Sequence, residues 1–197
     1  MSRFMRRCAE WALLLACLSG CASLQSGSSA LEPAGDEQPP AEVLSSHQDA
    51  LAHLEAGRFG AAVEEWRALT VYAPAYPGPW LNLVLALQRQ HDYVAAENEA
   101  RKGLEFHPEF ADLQHQLAVV LRHRGQFTAA KAAYQAALAM DPGFALAQRN
   151  LGVLCDLYLH DLECAQAAYA EYQQLSSEPD AEVNRWLADL QRRRSAR

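Results

Sequence analysis

From residue 43 onward, apolar and small residues recur along the chain with a period of 34 residues. Each period contains a turn signal, then an alanine three residues later, then a core position four residues further on, and it closes on a proline. The turn signals are Gly57-Arg58-Phe59, His91-Asp92-Tyr93 and Gly125-Gln126-Phe127, the alanines Ala62, Ala96 and Ala130, the core positions Trp66, Ala100 and Tyr134, and the prolines Pro74, Pro108 and Pro142. A fixed period of this length indicates a supersecondary unit that stacks on its neighbours. The pattern predicts two antiparallel helices in each unit.

The predicted units run 43–76, 77–110 and 111–144, and a fourth unit at 145–179 carries one extra residue. In this fourth unit, Ala165, Tyr169 and Pro179 stand at the equivalent positions. The insertion falls within 157–161 and lengthens either the end of the first helix or the turn. Each unit's alanine is expected where its two helices cross closely.

This pattern resembles the tetratricopeptide repeat (TPR) in phase at many positions through three units. The resemblance implies an all-α TPR solenoid of four helix-turn-helix repeats, wound as an open right-handed superhelix. After the last repeat, Ser177-Glu178-Pro179-Asp180 is typical of a capping box with proline inside the first turn. Residues 180–197 then predict a capping helix, whose apolar face consists of Val183, Trp186, Leu187 and Leu190.

The resemblance also implies a concave groove, lined by the first helix of every unit. The candidate groove residues are His47, Gln48, Leu51, Leu81, Asn82, Leu85, Arg89, His115, Gln116, Val119, Arg122, Arg149, Asn150 and Val153. The leucines and valines would take side chains of an extended peptide, and amides such as Asn82 and Gln116 can bond its backbone as donor and acceptor. The convex face and the cap are the alternative binding surfaces. A clamp for a C-terminal carboxylate is not expected, because only Asn82 matches the residues that such TPR domains use.

The N-terminal end has a different organisation. Arg3, Arg6 and Arg7 precede an apolar run at 11–18, which is far shorter than the roughly 20 residues that span a bilayer and is typical of a signal peptide. The run closes on Leu18-Ser19-Gly20-Cys21, which resembles the lipobox of bacterial lipoproteins. The resemblance implies a signal peptide at 1–20 and acylation of Cys21, with an ordinary cleaved signal or an untargeted amphipathic start as alternatives. Ala22 in place of aspartate implies the outer membrane, facing the periplasm.

Residues 21–42 are expected to form the lipidated cysteine and a disordered linker, because they are rich in serine, glycine, proline, alanine and acids. Residues 1–20 hold three of the 17 basic and one of the 24 acidic residues, so the remainder carries 14 basic and 23 acidic residues, a net charge of −9. Nucleic-acid binding would require clustered lysines and arginines, so a nucleic-acid partner is not expected. The expected partners are envelope proteins, bound as extended segments, and the membrane through the lipid anchor.

Two cysteines remain in the repeats. Cys155 and Cys164 lie on the two helices of the fourth unit and would be exposed to an oxidising periplasm. A disulfide requires their Cα atoms to lie within about 7 Å. The sequence leaves open a disulfide or two independently packed thiols.

No motif of a catalytic site stands out. The seven histidines are scattered over different phases of the repeat, and the chain has no Gly-Xaa-Ser-Xaa-Gly and no Cys-Xaa-Xaa-Cys. We therefore expect a non-enzymatic envelope scaffold without a metal or cofactor. Resemblance to known TPR lipoproteins suggests pilotin-like assistance to a type IV pilus or secretion channel, outer-membrane protein assembly, or adaptor work for cell-wall hydrolases. A ligand-binding protein or enzyme that uses the histidines of the groove is the competing class.

Overall fold

The structure is a computed structural model that describes residues 39–196. The predicted signal peptide, Cys21 and most of the predicted linker lie outside these residues. The described part forms nine α-helices and no strand: α1 (Ala41–Glu55), α2 (Phe59–Tyr72), α3 (Pro77–Arg89), α4 (Tyr93–Phe106), α5 (Ala111–His123), α6 (Phe127–Met140), α7 (Ala145–Leu157), α8 (Leu162–Leu175) and α9 (Ala181–Ser195). Ala41 and Glu42, which the sequence assigns to the linker, are the first two residues of α1. None of these nine helices is long and apolar enough to cross a bilayer.

The helices pack as consecutive hairpins. Contacts join α1 to α2, α3 to α4, α5 to α6 and α7 to α8, and every hairpin also packs on the next one. Among the first helices, α5 contacts both α3 and α7, so these three helices form a layer of their own. Helix α9 packs on α8. The predicted architecture of four helix-turn-helix repeats followed by a capping helix is thereby confirmed.

The turn inside each hairpin contains one residue in the left-handed region of backbone conformation. Its φ angle is 71° at Gly57, 60° at His91, 73° at Gly125 and 52° at His160. Glycine adopts this conformation at the lowest cost, and the histidines adopt it because the turn requires it. His91 therefore fills a glycine position of the repeat, as its place in the period predicts.

The extra residue of the fourth unit lies in this turn. Helix α7 has 13 residues, as do α3 and α5. In the third unit the backbone N–H of Gln126 donates to the carbonyl of Leu121, five residues back, whereas that of Asp161 donates to Cys155, six residues back. The insertion thus lengthens the turn and leaves the helix unchanged.

Large aromatic side chains fill the interior of three repeats at one equivalent position. Trp66 and Tyr134 are fully buried and Tyr169 is 2% exposed. The second repeat has Ala100 there and relies on Trp80 from its first helix instead. The backbone of α4 lies close to α5 at Gly103, where an added Cβ would be 2.7 Å from Leu113 Cδ2.

The capping helix spans Ala181–Ser195, close to the predicted start at residue 180. Asp180 is the N-cap residue, and its carboxylate accepts from the backbone N–H groups of Glu182 (2.8 Å) and Val183 (3.2 Å). The predicted capping box beginning at Ser177 is therefore wrong. The predicted apolar face is present, because Val183 and Leu190 are fully buried and Trp186 and Leu187 pack against the core.

Candidate functional site

The first helices place an amide and an aliphatic side chain at equivalent positions in three successive repeats. The amides are Asn82, Gln116 and Asn150, and the aliphatic residues one turn further along are Leu85, Val119 and Val153. All six are partly buried, so their outer atoms reach solvent. In the first repeat Gln48 is exposed and Leu51 is partly buried. We call these eight residues the groove surface.

Hydrogen bonds connect the groove amides across repeats. Gln88 on α3 donates through Nε2 to Oε1 of Gln116 on α5, at 3.1 Å. Gln116 Nε2 lies 3.5 Å from Nδ1 of His115, and Nε2 of the same ring lies 2.9 Å from Asn150 Nδ2 on α7. Three helices are thereby joined by one polar chain, with His115 at its centre. The period also places Gln88 on the groove side of α3, but the sequence does not show that it bonds the neighbouring helix.

His115 lies beneath the groove surface. It is 2% exposed, and its ring centroid lies 5.6 Å from that of Tyr134 and 4.9 Å from that of Phe144. Burial, aided by the charge of Arg122, lowers the pKa of His115 to about 4. The ring is therefore neutral at neutral pH and carries one N–H, so only one of its two nitrogens can accept from a flanking amide NH2 group.

Two more predicted groove residues lie beneath the surface. His47 is 2% exposed and its Nδ1 accepts from Trp66 Nε1 at 3.3 Å, while burial lowers the pKa of its ring. Leu81 is 7% exposed. These side chains support the groove floor and do not present a surface to a ligand.

The predicted groove arginines differ in their availability. Arg149 is held by the capping helix, because it pairs with Glu182 at 3.0 Å and its guanidinium lies 5.0 Å from the centre of the Trp186 ring. Arg122 lies 5.8 Å from the centre of the Tyr158 ring. Arg89 is exposed. Of the three, Arg89 is the cation that the groove presents to solvent.

The capping helix also closes the end of the groove. Asp156 on α7 is buried and accepts from Arg193 Nη1 of α9 at 2.7 Å. Together with the Arg149–Glu182 pair, this contact ties two charged side chains of α7 to α9. The charges of residues 180–197 do not by themselves indicate these partners, because the pairs join residues more than 30 positions apart.

Cys155 and Cys164 form a disulfide whose Cα atoms lie 5.8 Å apart. The bond joins α7 to the start of α8, where Asp161 caps the helix by accepting from the backbone N–H of Cys164 at 3.0 Å. The Asp161 carboxylate also pairs with Lys131 at 2.9 Å. Although these three residues lie close together, the sulfur atoms are bonded to each other and offer no thiolate to a metal.

Comparison with known proteins identifies the fold. No protein-family model and no curated protein matches the chain. Among solved structures, MamA (residues 41 to the end) from Desulfovibrio magneticus RS-1 is 20% identical, with a TM-score of 0.68 over 79% of this chain and 87% of that one. TTC0263, a TPR protein of Thermus thermophilus, is 23% identical, with a TM-score of 0.64 over 77% of this chain and 82% of that one. A TPR protein from Parabacteroides merdae is 18% identical, with a TM-score of 0.67 over 80% of this chain and 62% of that one. The fold is a TPR solenoid.

Proposed function

We propose that this protein is a non-enzymatic scaffold of the bacterial envelope, tethered to the outer membrane through a lipidated Cys21, and that its groove surface binds an extended segment of another envelope protein. The observation that carries the proposal is the recurrence of an amide and an aliphatic residue on α3, α5 and α7. A peptide in extended conformation presents backbone N–H and C=O groups and side chains at regular intervals. The groove offers matching amides and apolar sites at the regular intervals of its repeats.

The hydrogen-bonded chain beneath the groove supports this binding mode. Gln116 and Asn150 are held by His115, so their free donor or acceptor atoms have defined directions before a ligand arrives. Pre-organised side chains lose less conformational entropy on binding. The competing proposal, a ligand site or enzyme built on groove histidines, loses support because His47 and His115 are both 2% exposed.

The envelope role follows from the N-terminal sequence. More than one acyl chain makes membrane attachment stable, and a linker of about 20 residues has a root-mean-square reach of roughly 25 Å. The repeats would then work close to the membrane. We favour pilotin-like assistance to type IV pilus or secretion assembly. Adaptor work in outer-membrane protein assembly or for cell-wall hydrolases fits the same architecture.

The groove is tested with a partner captured by site-specific photocrosslinking from Arg89, an exposed groove position. Replacing Asn82 and Gln116 together by alanine should then weaken binding by roughly 1 to 3 kcal/mol, because buried peptide groups lose their hydrogen-bond partners. The matched control replaces Asn98 and Gln135, two exposed amides on α4 and α6. Equal affinity of the groove variant and the control in titration calorimetry would move the binding site to the convex face or the cap.

The anchor has a separate test. In the native organism, Cys21→Ser should abolish both incorporation of a fatty-acid analogue and processing by the lipoprotein pathway. Label that persists in the Cys21→Ser protein would disprove the lipid anchor.

A further inference from the structure

One long edge of the solenoid exposes an apolar side chain in every repeat. This is the edge where the second helices end, and their last residues are Tyr72, Phe106, Met140 and Leu175. Their exposed fractions are 65%, 54%, 37% and 36%. Solvent-exposed apolar residues that line up along a surface are typical of a site of protein interaction.

The same edge is acidic. The segments 70–80, 104–114, 138–148 and 172–182 contain no lysine or arginine. They contain seven carboxylates, of which Asp180 and Glu182 pair with Arg149. The other five, which have no ion-pair partner among residues 39–196, are Glu105, Glu109, Asp112, Asp141 and Glu178. We call the four terminal apolar residues together with these five carboxylates the acidic edge.

Two further features make the acidic edge electrostatically unbalanced. The last turns of α2, α4, α6 and α8 contain no basic residue, although a helix C-terminus carries a partial negative charge. Asp112 at the start of α5 and Asp141 just after α6 both belong to the third repeat. Burial and the charge of Asp141 raise the pKa of the Asp112 carboxyl. A cationic partner would relieve this repulsion.

The first repeat adds a cleft at this edge. In the second repeat Trp80 fills the space between the two helices: it is 4% exposed, stacks on Phe106 with centroids 5.4 Å apart, and donates from Nε1 to the carbonyl of Pro74 at 3.1 Å. The equivalent residue of the first repeat is Ser46. There the space is a cleft of about 220 Å³, lined by Glu42, Ser46, Glu65, Ala68, Leu69 and Tyr72.

We propose that this cleft binds a large apolar side chain, of the size of tryptophan, from a cationic amphipathic segment of a partner protein. The apolar side chain packs on Leu69 and Tyr72 as Trp80 packs on Phe106 in the next repeat. Lysines or arginines beside it meet Glu42 and Glu65 at the rim of the cleft and the carboxylates further along the acidic edge. This site is separate from the groove surface, which lies on the inner face of the first helices.

Charge favours a cationic partner over two other possible occupants of the cleft, which are the chain's own segment 22–40 and a second copy of the chain. The preceding segment 22–40 carries Glu32, Asp36 and Glu37 and no lysine or arginine, so Glu42 and Glu65 repel it. A second copy of the chain carries a net charge of −7. A cationic partner is attracted by all of these charges.

The test uses the full-length chain and a synthetic amphipathic peptide that has lysines on one face and a single tryptophan on the other. Binding is measured by fluorescence anisotropy at physiological ionic strength. Ser46→Trp should weaken binding by about tenfold or more, because the new indole fills the cleft and buried anchors dominate such interfaces. Ser45→Trp, at the neighbouring exposed position, is the matched control and should bind as the parent does. Tyr72→Ala, at the exposed rim, should also weaken binding.

Charge is tested separately. A peptide with glutamates in place of lysines, or alanine in place of tryptophan, should lose most of the affinity. Glu42→Gln with Glu65→Gln should weaken binding of the lysine peptide, whereas Glu55→Gln with Glu64→Gln should not. The groove variant Asn82→Ala with Gln116→Ala should bind the peptide unchanged, so this test is independent of the proposed groove function.

Three results would overturn the proposal. The first is equal affinity of the Ser46→Trp and Ser45→Trp proteins for the peptide. The second is tighter peptide binding after Leu24→Ser with Leu31→Ser, which would assign the cleft to the chain's own N-terminal segment. The third is a dimer in sedimentation that Ser46→Trp converts to a monomer, which would assign the cleft to a second copy.

Discussion

The two ends of the solenoid are built differently. The first repeat leaves Val71 79% and Tyr72 65% exposed, and it contains the cleft at Ser46. The last repeat is covered by α9, whose Val183 and Leu190 are fully buried. In a solenoid each repeat contacts only its neighbours, so a terminal repeat is either capped or exposes its packing surface. Helix α9 closes the C-terminal end, and among residues 39–196 the first repeat has no such cap.

Several kinds of interaction close the C-terminal end. Arg193 pairs with Asp156 at 2.7 Å, Arg149 pairs with Glu182 at 3.0 Å, and Trp186 packs on Tyr169 with centroids 5.2 Å apart. The disulfide between Cys155 and Cys164 fixes the hairpin beneath. The same kind of substitution should therefore change the free energy of unfolding by different amounts at the two ends.

The largest difference is expected from the loss of buried side-chain volume. Leu190→Ala removes a fully buried side chain from the interface of α9 with α8 and should lower the free energy of unfolding by about 2 to 5 kcal/mol. Hydrogen exchange should show the loss of protection first in α9 and α8. Chemical denaturation of the parent and the variant gives the magnitude.

The counterpart at the N-terminal end is Val71→Ala, which should change the free energy of unfolding by less than about 0.5 kcal/mol because the side chain is exposed. Similar denaturation midpoints for Leu190→Ala and Val71→Ala would show that α9 does not cap the last repeat.

Acid should loosen the junction between the third and fourth repeats. His115, whose ring contacts Phe144 and Asn150, has a pKa of about 4 in the folded protein, below the 6.5 of the free side chain. The unfolded chain therefore binds this proton more readily. The stabilisation is complete above pH 6.5 and is lost as the pH falls toward 4, by about 3 kcal/mol over that range.

The measurement compares unfolding of the parent and His115→Gln at pH 7 and near pH 4. Other titrating groups are common to both proteins, so their contributions cancel in the difference. The variant should lose less stability on acidification. Identical pH dependence in both proteins would mean that the ring is not held neutral under α7.

A somewhat smaller effect is expected from the disulfide. Cys164→Ala opens the loop of nine residues but leaves the buried Cys155 in place. The unfolded chain then gains conformational freedom, which should reduce the free energy of unfolding by about 2 to 3 kcal/mol. A reductant should destabilise the parent by a similar amount and leave the variant unaffected. Sensitivity of the variant to reductant would contradict this assignment.

The positions of the repeats could be predicted because they depend on local chemistry. A residue in left-handed conformation is needed once in every hairpin, and small residues are needed where helices cross, so Gly57, His91, Gly125 and the buried alanines mark the period in the sequence. The capping helix was predictable for the same reason, since its apolar residues follow a helical spacing. Its N-cap residue was not, because both Ser177 and Asp180 are suitable N-cap residues, and Asp180 is the one that bonds Tyr172 and Gln173 of α8.

The openness of the groove could be predicted only in part. The period places Asn82, Gln116 and Asn150 on equivalent sites, and the structure keeps their outer atoms accessible. The period also predicts that His47 and His115 face the groove. They are buried instead, because Trp66 and Tyr134 from the second helices pack against them. That packing joins residues 19 positions apart, and no local pattern encodes it.

The sequence by itself thus determined the fold, the turn positions and the inward face of each helix, because helix periodicity and backbone conformation are properties of neighbouring residues. Only the tertiary structure decided which polar side chains remain accessible, that α9 pairs with Arg149 and Asp156, and that a cleft lies at Ser46 where Trp80 fills the equivalent space. These outcomes depend on the volumes and charges of side chains on different helices. The fold brings these side chains into contact although they are far apart in the chain.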